Sequence, residues 1–408
     1  MSRALTAAVS AAAAVGAAPS AYNALLVAAA SVRREPPRPD TSGLHLLALV
    51  PAHDEQHQIA QTVRALIDSC ASPHTLDVTV VADNCSDRTA QEATAAGARV
   101  LERTDPDNRG KGRALAWALE RLGDHPADAV LFVDADCQAS PTLAKTLADE
   151  LAAGADAVQA DYVVSNAGDS GGTALRFAAF ALACTARPGG RSRLGASAGL
   201  LGTGMAIRRD VLRRLPWTAF GLAEDQEYHL RLVDSGARVG FVPEAAVFSP
   251  MPSTHTEGAG QQARWEAGRV ALRRPAARLV ASGLRRGDRV RLHAGLELLL
   301  PPQSLVAAGG AAALALGVLT GRRAATAVAT AGLIAQVGAI AGALRLAGAP
   351  ASVYRALGSA PLLIARKVRL YGEIAAGRGP QGWERTVRQP KSDRAGSTPG
   401  AVNTKSLT

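Results

Sequence analysis

The sequence predicts an α/β protein with a mainly parallel sheet, joined to transmembrane helices. Two observations lead to this fold class. Between residues 44 and 256, short apolar runs alternate with amphipathic segments, as in repeated βα units. Uncharged apolar stretches flank this region, and each is close to the ~20 residues that a helix needs to cross a bilayer. We therefore expect one soluble domain between an N-terminal span and a C-terminal hairpin.

The first uncharged stretch, Leu5 to Ala30, predicts a membrane-spanning helix at the N-terminus. A cleaved signal peptide is the alternative, because alanine-rich segments resemble both. The stretch is long for a signal peptide and is followed by Arg33 and Arg34, as in a signal anchor. We therefore favour a retained span.

Five apolar runs in the central region predict strands, with helices between them. They are Leu44 to Val50, Val78 to Ala82, Arg99 to Leu101, Val130 to Val133 and Ala157 to Val163. In such sheets the ligand lies beyond the carboxyl ends of the parallel strands. Polar motifs follow three of these runs: Pro51 to Glu55, Asp83 to Asp87 and Asp134 to Asp136. We expect these motifs to line one crevice.

Two later stretches, Leu296 to Leu319 and Ala324 to Leu344, predict a transmembrane hairpin, because only four residues separate them. Buried core helices are the alternative. Beyond the hairpin, the segment from Tyr354 to Tyr371 mixes apolar and basic residues, which is typical of a helix lying in the membrane interface.

The charge and cysteine content narrow the function class. The net charge is +10, and arginines cluster beside the apolar stretches, so the charge favours a membrane surface. Aromatic residues make up 4% of the chain and do not alternate with a basic stripe, which argues against nucleic acid. The four cysteines lack CxxC spacing, so we expect neither a zinc site nor a disulfide framework.

Asp134 and Asp136 carry the strongest chemical signal. They end a short apolar strand, and the turn beyond it lets both carboxylates converge on one divalent cation. Such a cation keeps positions open for phosphate oxygens, which suggests chemistry on a phosphate compound. Alone, the pair is also compatible with a structural turn, because Asp favours turns after strands.

Seven motifs in a fixed order resemble family 2 glycosyltransferases with the GT-A fold, in particular the membrane-bound branch of cellulose, hyaluronan and poly-N-acetylglucosamine synthases. The motifs are PAHDE (51–55), VVADNCSD (80–87), NRGKGRALAWAL (108–119), DAD (134–136), GTGMAIRR (202–209), AEDQEYHLRL (223–232) and QQARW (261–265). Two positions depart from the family pattern. Asp54 replaces the usual Asn, and Ala223 replaces the Thr that often precedes Glu-Asp.

The resemblance implies a nucleotide-sugar donor, most simply a UDP-sugar. Asp54, Glu55 and Asp83 would bind its nucleoside, and Lys111 its diphosphate. Asp134 and Asp136 would hold Mg²⁺ or Mn²⁺, with Asp136 the more direct ligand and Asp134 also close to the nucleotide sugar. The structural alternatives are helix capping for the acids and a solvated lysine on a glycine-rich turn.

Asp225, paired with Glu224, is the candidate base that takes the proton of the acceptor hydroxyl. Adjacent carboxylates raise each other's pKa, which suits a base near neutral pH. A helix N-terminus also favours acidic residues, so the pair could alternatively serve only to stabilise the helix. With one base and no evident nucleophile, we expect inversion at the anomeric carbon.

The resemblance also implies that Gln261, Arg264 and Trp265 contact acceptor and diphosphate. Alternatively, these residues lie on an interfacial helix.

Three other functions fit the sequence less well. A haloacid-dehalogenase-like phosphatase also uses a DxD motif, but the sequence after Asp136 departs from its pattern. A non-catalytic membrane sensor would leave the ordered motifs unexplained. His53 and His57 have zinc-protease spacing, but Asp54 replaces the glutamate that such a site requires.

The expected layout has seven parts, with the catalytic domain on the cytoplasmic side of the cell membrane. They are an N-terminal helix (1–31), a Pro/Arg-rich linker (32–43), the GT-A catalytic domain (44–256), the QxxRW segment with an interfacial basic helix (257–292), the hairpin (293–346), an amphipathic interfacial segment (347–388) and a disordered tail (389–408). The acceptor would be a glycan or a lipid-linked molecule. Polymer export would need a membrane partner, because three spans are too few to enclose a sugar-wide path.

Overall fold

The computed structural model describes residues 3–33, 35, 43–252 and 255–376. The predicted tail lies entirely outside this range, as does most of the linker. One mixed sheet carries all the described strands. They are β1 (His45–Ala52), β2 (Thr75–Asp83), β3 (Arg99–Arg103), β4 (Ala129–Phe132), β5 (Gln138–Ala139), β6 (Ala157–Val164), β7 (Met205–Arg208) and β8 (Val239–Ser249).

The strand order is β3-β2-β1-β4-β7-β6-β8-β5. The first four strands in this order are mutually parallel, so their carboxyl ends share one edge, as the alternating pattern predicted. β7 runs antiparallel to both β4 and β6, and β5 runs antiparallel to β8. β1 and β4 are buried on both faces, which explains their continuous apolar sequences.

Helices cover both faces of this sheet. They are α1 (Arg3–Ala30), α2 (Ile59–Asp68), α3 (Thr89–Ala95), α4 (Lys111–Arg121), α5 (Leu143–Ala152), α6 (Gly171–Phe180), α7 (Arg187–Arg193), α8 (Arg209–Arg214) and α9 (Glu224–Asp234), and a π-helical segment (Ala181–Ala186) joins α6 to α7. α2 illustrates the packing: Ile59, Val63 and Leu66 recur at helical spacing and are fully buried. α1 is the exception, because it packs against α7 and two of the later helices instead of the sheet.

The remaining helices follow the sheet in sequence. They are α10 (His255–Ala271), α11 (Arg273–Arg286), α12 (Arg289–Leu299), α13 (Gln303–Leu319), α14 (Arg323–Leu346), α15 (Ala351–Ala356) and α16 (Ala360–Ala375), with a 3₁₀ turn (Leu357–Ser359) before the last. Among the described residues, two helices are long and apolar enough to cross a bilayer, Val9–Ala30 within α1 and all of α14.

The predicted span from Leu296 to Leu319 is not one continuous helix. α12 and α13 meet at Leu300 to Pro302 with a bend of 78°. Proline lacks the backbone N–H that a continuing helix needs, which explains the break. Leu298 of α12 is buried in one cluster with Leu230 of α9, so α12 lies against the region that carries the sheet and only α13 remains for the first arm of the predicted hairpin.

The helix α16 covers much of the segment that we expected in the membrane interface. It packs against α13. Arg369 on α16 pairs with Glu373 one turn later, on an exposed surface.

Candidate active site

The loops after β1 and β2 are tied together by polar contacts. Asp54 has a φ of +54°, which Asp tolerates better than most residues, and its Oδ1 accepts a hydrogen bond from the Ser86 backbone N–H at 2.6 Å. His53 Nδ1 lies 2.7 Å from the Asp83 carbonyl oxygen. Glu55 follows in the same loop, where its N–H donates to Thr89 Oγ1 at 2.7 Å. Asp54 and Glu55 therefore lie beside the end of β2.

Asp83 is fixed by a residue that the sequence analysis missed. Arg103, at the end of β3, donates from Nη1 to Asp83 Oδ1 at 2.6 Å, and its Nη2 donates to Asp105 Oδ2 at 2.8 Å. Both partners of the first pair are buried. Nothing in the sequence near Arg103 forms a recognisable motif, so only the pairing of β2 with β3 brings it to Asp83.

Lys111 joins three of the sequence motifs. It is the first residue of α4, after Gly110 at a φ of +126°. Its Nζ donates to the Gly202 carbonyl oxygen at 2.7 Å, pairs with Asp134 Oδ1 at 2.5 Å and lies 3.8 Å from Glu224 Oε1. Burial opposes its charge, but the carboxylates of Asp134 and Glu224 outweigh burial and raise the pKa of Lys111.

Asp134 and Asp136 lie just beyond β4. One ligand atom each from Asp134, Asp136 and Cys137 lie within 4.8 Å of one another. Burial raises the pKa of Cys137 well above its usual value, and its soft sulfur suits Mg²⁺ poorly. Two hard carboxylate oxygens remain, the donor type that Mg²⁺ and Mn²⁺ prefer. The residues present therefore fit the expected divalent cation.

Glu224 and Asp225 are the first two residues of α9. Both carboxylates lie near Lys111. Burial raises the pKa of Glu224 to about 7 and that of Asp225 to about 6, and the charge of Lys111 opposes both shifts. A carboxylate with a raised pKa is a better proton acceptor near neutral pH than an exposed one. The pair therefore has the electrostatic character of a base.

The loop before β7 is held by a buried glutamine. Gln159 on β6 donates from Nε2 to the Thr203 carbonyl oxygen at 2.9 Å and accepts from the Leu201 N–H at 2.9 Å. Gly202 in this loop has a φ of +81°, and a Cβ there would lie 3.4 Å from Lys111 Nζ. Glycine thus lets the backbone approach the lysine. Gln159 was not predicted, because a single polar residue in an apolar strand gives no functional signal.

The helix α10 carries Gln261, Arg264 and Trp265. A Cβ added to Gly268 would lie 2.8 Å from the Cβ of Ala223, so α10 is packed against the start of α9. Trp265 is exposed, and its ring centroid lies 6.0 Å from that of Phe180. The motif is therefore beside the helix that carries Glu224 and Asp225, with an aromatic side chain at the surface.

Eight of the site residues predicted from the sequence form two groups at one edge of the sheet, and the other three lie on α10. Asp54, Glu55 and Asp83 form the first, and Arg103 belongs with them. The second consists of Lys111, the carboxylates of Asp134, Glu224 and Asp225 around it, and Asp136 beside Asp134. The second group combines two carboxylates that could hold a cation, a buried positive charge and two carboxylates with raised pKa values.

This arrangement accords with a comparison of the sequence with known families. The family model described as "Glycosyltransferase like family 2" matches residues 44–268, which is more than half of the 408-residue chain. The chain belongs to this family. The match favours glycosyl transfer over the phosphatase and sensor hypotheses.

Two curated relatives are similar over about half of the chain. A probable glycosyltransferase of Bacillus subtilis (strain 168), YdaM, is 31% identical over 231 residues, which cover 54% of this chain and 54% of the relative. An N-acetylglucosaminyltransferase of Rhizobium meliloti (strain 1021) is 29% identical over 233 residues, or 53% of this chain and 54% of the relative. The chain thus spans about half the length of these two relatives.

A solved structure supports the fold over a longer range. A mannosyltransferase from Pyrobaculum calidifontis, determined in complex with GDP-mannose and Mn²⁺, is similar with a TM-score of 0.55 and 19% sequence identity. The similarity covers 84% of this chain and 98% of that one. The predicted GT-A fold is confirmed.

Proposed function

We infer that this chain is an inverting, metal-dependent glycosyltransferase. It transfers a sugar from a nucleotide donor, most simply a UDP-sugar, to the hydroxyl of a glycan or lipid-linked acceptor at the cytoplasmic face of the membrane. One observation carries this proposal: Lys111 brings Asp134 and Glu224 to a single point beside Asp225.

Asp225 takes the proton of the acceptor hydroxyl as its oxygen attacks the anomeric carbon. The carbon–oxygen bond to the donor diphosphate breaks in the same displacement, so the configuration inverts. Burial raises the pKa of this base, and the charge of Lys111 opposes that shift. Lys111 also offers a positive charge to the diphosphate.

Asp136 and Asp134 would hold Mg²⁺ or Mn²⁺. The cation would supply positive charge to the leaving diphosphate. Asp134 pairs with Lys111 at 2.5 Å, and we expect Asp136 to be the more direct ligand.

Asp54, Glu55 and Asp83 would bind the nucleoside. Their loops contact each other, so they would act as one surface. Asp83 Oδ1 is occupied by Arg103, and this ion pair would position Asp83 for the nucleoside. On the opposite side, Trp265 would stack against an acceptor sugar, while Gln261 and Arg264 would meet diphosphate.

The membrane location is also part of the proposal. α1 packs against α14 and against α7 of the catalytic domain, and a Cβ added to Gly190 of α7 would overlap the backbone of Leu26. Such close packing supports α1 as a retained span, since removing it would expose this contact. Arg33 and the basic residues of α11 favour the cytoplasmic side for the catalytic domain.

The test is release of nucleoside diphosphate by the full-length protein in detergent, across UDP-sugars and GDP-mannose, with and without Mg²⁺ or Mn²⁺. We expect release with one donor class, dependent on the cation and increased by acceptor. Hydrolysis of a phosphomonoester, with no release from any nucleotide sugar, would refute the proposal.

A further inference from the structure

A cleft of about 300 Å³ lies between the end of α4 and α8. Its charged lining residues are Glu120, Arg209 and Arg213, and its larger apolar ones include Leu212, Pro216 and Trp217. Lys111 is the first residue of α4, whereas Glu120 lies nine residues later, which corresponds to about 14 Å along the helix. The cleft is therefore separate from the candidate active site.

The two arginines of the cleft lack a carboxylate partner. Arg209 is 7% exposed, and its Nη2 donates to the carbonyl oxygens of Leu122 and Gly123. Among the described residues, neither Arg209 nor Arg213 forms an ion pair, although their neighbours Arg208 and Arg214 do. Burial and the charge of Arg213 lower the pKa of Arg209. The cleft thus carries positive charge that no nearby carboxylate balances.

Two of the lining residues also have a buried donor atom without a hydrogen-bond partner in the described part of the chain. They are Arg209 at Nη1 and Trp217 at Nε1. Burying a donor without an acceptor costs free energy, and more so when the donor is charged. A phosphate would offset this cost, because its oxygens only accept when ionised and its charge of about −1.5 to −2 matches two guanidinium groups.

Glu120 indicates which other groups the ligand carries. Its carboxylate repels a phosphate but accepts hydrogen bonds from hydroxyl groups. Leu212 and Pro216 offer apolar surface for C–H groups. The volume is at the lower end of the ~300–1,000 Å³ that is typical of sites for small molecules. A small molecule with a phosphate, several hydroxyl groups and C–H faces is a phosphorylated sugar.

The cleft is connected to α9, the helix that carries the proposed base. The ring of Trp217 stacks on that of Tyr228 with centroids 4.5 Å apart, and Tyr228 Oη donates to the Leu215 carbonyl oxygen at 2.6 Å. Tyr228 lies one turn after Glu224 and Asp225 on α9. A ligand that moves Trp217 would therefore also act on the start of α9.

We propose that this cleft binds a phosphorylated sugar and that its binding alters turnover at the active site. The phosphate lies at Arg209 and Arg213, and the hydroxyl groups of the sugar donate to Glu120. The contact between Trp217 and Tyr228 carries the effect to α9. Binding does not depend on the proposed function, whereas the effect on turnover rests on it.

The experiment measures binding of glucose 1-phosphate, glucose 6-phosphate and mannose 6-phosphate to the full-length protein in detergent by isothermal titration calorimetry. Sugar donor is left out and EDTA is present, because a divalent cation would hold phosphate groups at the active site. We expect at least one sugar phosphate to bind saturably, about tenfold or more tighter than inorganic phosphate or glucose. No binding by any of the three would overturn the proposal. Equal affinity for inorganic phosphate would also overturn it, because the cleft would then be a general anion site.

Two exposed residues of the cleft provide the variants. Arg213→Glu should weaken binding about tenfold or more, because it replaces attraction to the phosphate by repulsion. Glu120→Gln should lower the preference for sugar phosphate over inorganic phosphate, because a neutral amide is a weaker acceptor and no longer repels phosphate. Arg214→Glu is the matched control, since Arg214 lies on the same helix, pairs with Asp210 and does not line the cleft. It should bind like the wild type, and Arg213→Glu with wild-type affinity would overturn the site.

Turnover at saturating donor and acceptor, with and without the sugar phosphate, tests the connection to α9. The ligand should change kcat by about twofold or more in the wild type and in Arg214→Glu, but not in Arg213→Glu. Binding without any change in kcat would overturn this connection. Absence of turnover with every nucleotide sugar would instead count against the proposed function, and the binding result would stand.

Discussion

The Asp225→Asn variant tests the proposed base most directly. Asparagine keeps the size of the side chain but cannot accept a proton from the acceptor hydroxyl. A positioned base typically contributes about 10²–10⁴ in rate. At about 1.36 kcal/mol per tenfold change, this corresponds to a barrier higher by about 3–5 kcal/mol. We expect kcat to fall by this factor while the donor KM stays nearly constant, because the lost interaction acts in the transition state.

The pH dependence provides a second readout of the same residue. Burial raises the pKa of Asp225 to about 6, and only its ionised form is a base. The wild-type rate should therefore rise with pH through about 6 and level off above it, whereas it should fall about tenfold per pH unit below. The residual activity of Asp225→Asn should lack this acidic limb.

The variant should not lose stability at pH 7.5. A raised pKa means that the folded state disfavours the ionised carboxylate, so the charge of Asp225 costs stability above pH about 6. Replacing it by a neutral amide removes this cost, and we expect an equal or higher Tm by calorimetry.

Nucleoside diphosphate release between pH 5 and 8, at saturating cation and acceptor, is the assay. Glu227→Gln is the matched control, because it makes the same carboxylate-to-amide change on the same helix, where Glu227 accepts from the Gly221 N–H at 3.2 Å. It should keep near-normal activity. Transfer by Asp225→Asn at the wild-type rate would refute the assignment, and a loss confined to Glu224→Gln would move the role to Glu224.

Four further outcomes are expected. Asp136→Ala should raise the cation concentration needed for half-maximal activity and weaken donor binding, effects that isothermal titration separates from a pure loss of turnover. Lys111→Met should shift the acidic limb to higher pH, because the lysine charge lowers the pKa values of Glu224 and Asp225, whereas Lys111→Arg should shift it less. A cysteine at Thr320 should react with an impermeant thiol reagent outside intact cells, and one at Ser235 only after lysis; the reverse would invert the topology. The purified protein in vesicles should make short products on a lipid acceptor, and a long exported glycan would contradict this.

Much of the fold was predictable because its signals are local. β1 and β4 are short apolar runs bounded by turns, and the structure places a strand at each of the five predicted positions. β7 was not predicted: its four residues lie within the GTGMAIRR motif, and their strand conformation depends on pairing with β4 and β6. Long-range pairing of this kind leaves no periodicity in such a short segment.

Some residues of the site could likewise be predicted from the sequence, and others could not. Asp134, Asp136, Glu224 and Asp225 stand in recognisable motifs, because their chemistry requires carboxylates at set positions after strands or at helix starts. Arg103 and Gln159 have no such pattern. Each acts on a residue far away in sequence, Arg103 on Asp83 and Gln159 on the loop around Thr203. Positioning residues of this kind depend on the folded sheet and leave no local signal.

The packing of α1, α13 and α14 is relevant to the number of sugars that one chain adds. The QxxRW motif is typical of synthases that extend a polymer and pass it through their own helices, which would require a lined path for sugar hydroxyls. Among the described helices, α1 and α14 instead pack tightly through glycines: a Cβ added to Gly332 would lie 2.7 Å from Ala17, and one added to Gly342 would lie 2.6 Å from Val27. A Cβ on Gly310 of α13 would likewise lie 2.9 Å from Leu333. Helices in such close contact leave no room for a sugar chain between them at these positions. This packing supports addition of one or a few sugars at the membrane surface, with export left to a partner that would supply the missing path.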